Sequence, residues 1–181
     1  MSGNAFVVVL LGAESTGKTT LAGEIGAALV ARGLRVEVVA EVLREFCDRH
    51  GRTPRRDEQA AIAAAQTARI GAAAASAEVV VADTSALMIA VYSDFVFGDA
   101  SLYADALAAQ QRIDLTLVTA LDLPWRADGL QRDGAHVREP VDALLRRALA
   151  RAGIAAATIA GTGAERRDAA LRAIDVALAG R

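Results

Sequence analysis

Lysine is nearly absent from this chain: of the 20 Lys and Arg residues among 181, Lys18 is the only lysine. Arginine carries positive charge everywhere else, and alanine is abundant, a pattern that fits a GC-biased genome. The surviving lysine is therefore expected to do something that a planar guanidinium cannot. Cysteine is equally scarce. Cys47 stands alone, which excludes an intramolecular disulfide framework and any multi-cysteine metal site. Asn4 is the one asparagine, so the Asn-Lys-x-Asp motif with which GTPase switches read guanine cannot occur. With 3 Pro and 15 Gly, collagen-like and disordered compositions are excluded. Neither sign of charge dominates, at 20 basic against 22 acidic residues and a net charge of -2, which leaves no electrostatic footprint for nucleic acid or an anionic membrane. The apolar run at 6–11 is too short to span a bilayer and no basic segment precedes it, so a soluble, cytoplasmic protein is expected.

What the chain does have is a core. At 54% hydrophobic and 23% charged, residues 1–181 read as one globular domain, long enough to close a hydrophobic interior. The run Phe6-Val-Val-Val-Leu-Leu11 is apolar and β-branched, as a strand buried on both faces should be. It runs into Gly12-Ala-Glu14-Ser15-Thr16-Gly17-Lys18-Thr19, a full match to G-x-x-x-x-G-K-[ST], and then into a helical stretch at 20–30. Strand, glycine loop and helix form the context in which this pattern binds phosphate. Glycines let successive backbone N–H groups converge on phosphate oxygens, and the helix N-terminus adds a positive dipole end. Gly12, Glu14, Ser15, Thr16, Gly17, Lys18, Thr19 and Thr20 are thus the expected nucleotide-binding residues. Lys18 would supply a compact charge to the β- and γ-phosphates of ATP, and the Thr19 hydroxyl would ligate Mg²⁺.

Periodicity continues the alternation. Strands are expected at 34–40, 78–83, 114–120 and 154–160, and helices at 57–77, 84–95, 100–111, 141–152 and 164–178, with a helical turn or two at 41–48. The implied fold is α/β, a P-loop NTPase three-layer sandwich of about five mainly parallel strands with helices on both faces. Ligands gather at the carboxyl ends of such strands, which directs attention to four places. After the first strand lies the glycine loop. After the second come Glu41 and Arg44, one helical turn apart, which read either as a surface ion pair or as walls of an acceptor pocket. Asp83 ends the third strand and could hold Mg²⁺ or accept a proton from a substrate hydroxyl, the plainer alternative being that Asp83 or Thr84 caps the next helix. After the fourth strand, a lid-like segment around 122–140 holds Trp125, Asp128, Arg132 and Arg138. Its arginines suit closure over a triphosphate, and a solvated loop is the plainer alternative. His50, His136 and Cys47 are too isolated for a metal site.

These residues carry a resemblance. The loop Gly12 to Thr19, Glu41-x-x-Arg44, Ala65-Gln66, Asp83-Thr84, Tyr92-Ser93 through Phe97-Gly98, and Pro124-Trp125-x-x-Asp128-Gly129 follow one another as in the nicotinamide riboside kinase domain of the NadR family, which this chain resembles over nearly its whole length. The resemblance implies ATP- and Mg²⁺-dependent phosphorylation of the 5′-hydroxyl of nicotinamide riboside. Lys18, Asp83, Arg132 and Arg138 would then serve catalysis, Thr19 and Asp83 the metal, and Glu41, Arg44, Tyr92, Trp125 and Asp128 the acceptor. In two places the chain departs from the family pattern: Asp83-Thr84-Ser85 stands where Asp-Thr-Asp is common, and Gln131 precedes Arg132. The length leaves no room for the DNA-binding and adenylyltransferase regions of multifunctional relatives, so a stand-alone kinase is expected, with homo-oligomerisation open. A kinase for another nucleoside or a vitamin alcohol is the main competing reading. A non-kinase AAA-like ATPase is a weaker one, because only one helix remains after Ala164.

Overall fold

In the computed structural model, residues 5–126 and 134–180 are described. Five strands form one parallel sheet: β1 (Phe6–Leu11), β2 (Val36–Val39), β3 (Val79–Asp83), β4 (Leu115–Thr119) and β5 (Ala157–Ile159). Their spatial order is β2-β3-β1-β4-β5, which puts β1 at the centre, its Leu10 level with Asp83 on one side and Leu117 on the other. Among the described residues seven α-helices connect and flank them: α1 (Lys18–Ala31), α2 (Val42–His50), α3 (Gln59–Ala74), α4 (Ala86–Phe97), α5 (Tyr103–Gln110), α6 (Arg138–Arg151) and α7 (Gly163–Ala179). Among the described residues no helix is long and apolar enough to cross a membrane.

The sandwich follows from strand pleating, which turns successive side chains to opposite faces. Val7, Val9 and Leu11 face a core that includes Ile70 of α3, Leu87 and Val91 of α4, and Val141 and Leu145 of α6. Phe6, Val8 and Leu10 face the other core, closed by Leu21, Ile25 and Leu29 of α1 and Ile174 of α7. Covered on both sides, β1 is buried along its whole length. That is why it reads as an uninterrupted apolar run.

Four boundaries differ from expectation for identifiable reasons. Leu34 and Ile154 lie outside strands. Each instead closes a helix: Leu34 N–H donates to Leu29 O at 3.3 Å and Ile154 N–H to Leu149 O at 3.0 Å, behind left-handed Gly33 and Gly153. This six-to-one bond with an apolar residue packed behind it is the Schellman helix ending. Helix α6 begins at Arg138 and not at Val141, because Pro140 falls within the first turn, where a missing N–H costs nothing. Helix α4 begins at Ala86, capped by the Ser85 hydroxyl, which accepts from Leu87 N–H at 3.2 Å.

Candidate active site at the strand ends

The loop after β1 is shaped by two glycines. A Cβ on Gly12 (φ 147°) would sit 2.1 Å from Thr119 Oγ1, so only glycine lets β1 and β4 close under the loop. Gly17 (φ 76°) turns the chain into α1 as its N-cap. Beneath them Thr16 is fully buried, its hydroxyl donating to Ala13 O at 2.8 Å and lying 2.7 Å from the Thr119 hydroxyl. Lys18 Nζ donates to the carbonyls of Gly12 and Ala13, both at 2.9 Å, so the ammonium folds back onto the start of its own loop. Thr19 donates its hydroxyl to Asp83 Oδ2 at 2.5 Å. That bond joins the first turn of α1 to the end of β3.

Two clefts open here, a larger one along Ser15 to Thr20 and a smaller one reaching Glu14, Thr84, Met88 and Tyr92. They share Lys18, Glu41 and Arg44, so those side chains stand where the contents of the two clefts would meet. Glu41 and Arg44 also pair with each other, Arg44 Nε lying 3.8 Å from Glu41 Oε2, so the ion pair forms at the mouth of the clefts. Asp83 is 3% exposed, with Oδ1 buried and without a hydrogen-bond partner. The helix-cap reading of Asp83 and Thr84 falls away, because Ser85 does the capping. Serine and aspartate are both favoured N-caps, so Ser85 fills the place of the family's second acid at no cost to the helix.

Tyr92 reaches the loop from α4, its hydroxyl accepting from Glu14 N–H at 3.1 Å. Glu14 is itself buried and its Oε1 accepts from the Trp125 indole N–H at 3.1 Å and from Gly134 N–H at 3.2 Å. The Ser15 hydroxyl donates to Arg126 O and accepts from Arg126 N–H, at 3.1 and 2.8 Å. The chain on either side of residues 127–133 is thus tied to the glycine loop. Trp125 is held beside that loop and is not among the described residues that line the smaller cleft. Asp128 and Arg132 lie outside the described residues. Arg138 is 8% exposed and donates Nη1 to Leu123 O at 2.8 Å, while its Nε and Nη2 are buried without partners. A buried guanidinium left with open donors strongly favours an arriving anion.

Sequence reasoning missed two buried braces. Arg166 of α7, only 4% exposed, donates to Thr16 O and Gly161 O, each at 2.9 Å, and to Asp122 Oδ1 at 2.7 Å. It ties the glycine loop to the ends of β4 and β5. Burial acts to raise the Asp122 carboxyl, but the Arg166 hydrogen bond and the Gly161 N–H outweigh it and hold the group below its ordinary range. Gln66 of α3 accepts from Val42 N–H at 2.8 Å and donates to Ala40 O and Thr84 O at 3.4 and 3.5 Å. One amide therefore joins the segment carrying Glu41 to the segment carrying Asp83. Gln66 was visible only as part of the family pattern, and Arg166 only as one of many arginines, on the closing helix.

Comparison with known proteins agrees with this architecture. The structure of NadR protein in complex with nicotinamide riboside (NR) superimposes with a TM-score of 0.77 at 23% identity, covering 95% of this chain and 50% of that one. NadR protein in complex with NAD and AMP-PNP gives 0.74 at 20%, covering 95% and 49%. This chain therefore spans about half the length of those proteins, and at such identity the likeness is one of fold. No curated protein matches the sequence. A family model described as AAA domain matches residues 7–167, and the chain belongs to that AAA domain family, with the P-loop fold that NadR shares.

Proposed function

We propose that this chain is an ATP- and Mg²⁺-dependent kinase that phosphorylates the 5′-hydroxyl of nicotinamide riboside, giving nicotinamide mononucleotide. The observation that carries the reading is Asp83, bonded through Oδ2 to Thr19 of the glycine loop while Oδ1 stays buried and unpartnered at the strand ends. A phosphate-binding loop alone would suit any nucleotide hydrolase; a poised carboxylate beside a second cleft suits transfer to an alcohol.

In this reading the triphosphate follows Ser15 to Thr20, with Lys18 directed to its β- and γ-phosphates, and the riboside occupies the cleft of Glu41, Arg44 and Tyr92. The acceptor oxygen attacks the γ-phosphorus, the bond from that phosphorus to the β-phosphate oxygen breaks, and ADP leaves. Asp83 takes the proton released by the hydroxyl. The residues also fit a magnesium ion: a hydroxyl and a carboxylate in contact, Thr19 and Asp83, are hard oxygen donors of the kind that hold Mg²⁺ alongside phosphates. When bound, the ion would neutralise charge on the phosphates. Trp125 stands outside the lining of the smaller cleft but is hydrogen-bonded to Glu14, which belongs to it, and is the aromatic face proposed for the cationic pyridinium at the cleft's edge. Asp128 and Arg132 retain their proposed roles beside acceptor and phosphates, and the enzyme is proposed to work in the cytoplasm. Solved NadR complexes with NR and with AMP-PNP support this choice of ligands.

Purified protein given ATP, Mg²⁺ and a panel of nicotinamide riboside, adenosine, uridine and thiamine should add one phosphate to the riboside alone, read by product mass. Phosphorylation of another alcohol with the riboside untouched would show the acceptor to be wrong. No phosphorylated product from any of them would remove the kinase reading.

Arg138 supplies a separate expectation. Its open N–H groups would stabilise charge developing on the transferred phosphoryl group, so Arg138→Leu should lower kcat by up to about 10²-fold. Stability should hold or rise, since an unpaired buried charge is removed. Kinetics and a melting curve check it together: a falling Tm with kcat retained would make Arg138 a structural residue.

A further inference from the structure

We propose that Thr84 selects the acceptor, its hydroxyl donating a hydrogen bond to a second oxygen of a sugar whose reacting hydroxyl faces Asp83. The inference rests on the kinase reading above and adds to it a residue that recognises the acceptor as a sugar rather than as a simple alcohol.

Three independent observations meet at this position. Thr84 holds φ 79°, a left-handed conformation that is a genuine outlier for a β-branched side chain and that glycine would adopt without strain. Its hydroxyl is buried, in a residue 1% exposed, and has no hydrogen-bond partner, a state that carries the full desolvation penalty of the group. The residue borders the smaller cleft together with Glu41, Met88 and Tyr92. Strain and an unsatisfied polar group at one residue mark a place where the side chain has a use outside the fold.

The internal alternatives are already filled. Thr84 N–H donates to Leu10 O at 3.0 Å and its carbonyl accepts from Gln66 at 3.5 Å, so the backbone is fixed on both sides. Capping of α4 belongs to Ser85, which also donates its hydroxyl to Gln110 Oε1 at 2.7 Å. Only the Thr84 side chain is left without a task. Rotation about χ1 re-aims the hydroxyl without moving the backbone, and Thr84, which borders the smaller cleft, follows Asp83 directly in the chain. A carboxylate there accepts from the reacting hydroxyl. A neighbouring O–H donor needs an oxygen near that hydroxyl on the same molecule, and a pentose provides one as a ring oxygen or a second hydroxyl. Thiamine, with its single hydroxyethyl group, provides none.

The test measures KM for nicotinamide riboside and for ATP in wild type, Thr84→Gly, Thr84→Val and Thr84→Ser, with a melting curve for each. Thr84→Gly should raise the riboside KM about tenfold, leave the ATP KM unchanged and keep or raise Tm, because the strained backbone is relieved as the contact is lost. Thr84→Val, of similar shape but without the hydroxyl, should raise the riboside KM likewise, and Thr84→Ser should restore it to within about threefold. An unchanged riboside KM in Thr84→Gly overturns the proposal, as does a parallel rise in both KM values or a failure of serine to rescue. Wild-type protein that leaves the riboside unphosphorylated overturns the acceptor reading and this inference with it. Wild-type turnover combined with an indifferent Thr84→Gly overturns this inference alone.

Discussion

Lys18→Ala is expected to lower the kcat/KM of phosphoryl transfer by about 10³-fold or more, because the ammonium meets charge that grows as the γ-phosphoryl group moves. The fold should survive. Nζ donates to the carbonyls of Gly12 and Ala13, and Lys18 is half-buried rather than part of either core. Losing two such bonds should cost about 1 kcal/mol each at most, a shift of several degrees in Tm. Lys18→Arg separates charge from shape. The loop carbonyls approach one compact ammonium at 2.9 Å each, whereas a guanidinium is planar, longer and fixed in its fork geometry. It should therefore fail nearly as badly as alanine despite keeping the charge. Riboside-dependent ADP release measures both variants, and activity in Lys18→Arg within a few-fold of wild type would contradict the assignment of this loop as the phosphate site.

That a site exists at this loop was legible because a strand buried on both faces leaves an unbroken apolar run and a phosphate loop leaves fixed glycines. The same run-then-acid pattern located Asp83, and the alternation of strand and helix carried the parallel sandwich with it. The limits have equally definite causes. Leu34 and Ile154 are apolar residues next to strand-like segments, and hydrophobicity cannot distinguish a residue that pairs in a sheet from one that packs behind a Schellman ending. Thr84 carries no sign of its left-handed backbone, because threonine is the kind of residue expected to avoid it. Arg166 and Gln66 act through long-range hydrogen bonds to Thr16, Ala40 and Thr84, and such pairings are set by the packing of helices far apart in sequence. Glu14 occupies one of the variable places of the loop motif, where nothing in the spacing announces that it will hold Trp125. The positions of the proposed catalytic groups were thus readable from local pattern, while the hydrogen bonds that brace their segments were not.

Asp83→Asn should lower kcat by at least about 10²-fold, the scale of a lost proton acceptor, with the KM for ATP moving only a few-fold. The amide is nearly the same shape, and its oxygen can still accept from the Thr19 hydroxyl, so the junction between α1 and β3 should persist. What changes is the other atom. Where Oδ1 now lies buried and unpartnered, asparagine would place an N–H donor or a neutral oxygen, neither of which can take a proton from an attacking hydroxyl. The negative charge that suits Mg²⁺ is lost as well, so the Mg²⁺ concentration needed for half-maximal rate should rise. Stability should move the opposite way from activity. A carboxylate with an open oxygen in a residue 3% exposed is costly to bury, and neutralising it removes that cost; Tm should be unchanged or higher. Helix α4 gives no reason for a loss, since its cap is the Ser85 hydroxyl. The combination of a large fall in kcat and a steady or raised Tm is the signature of a group held for chemistry at the expense of the fold. A kcat within a few-fold of wild type accompanied by a Tm lower by several degrees would instead make the Thr19–Asp83 bond a structural strut, and the proton would need another acceptor.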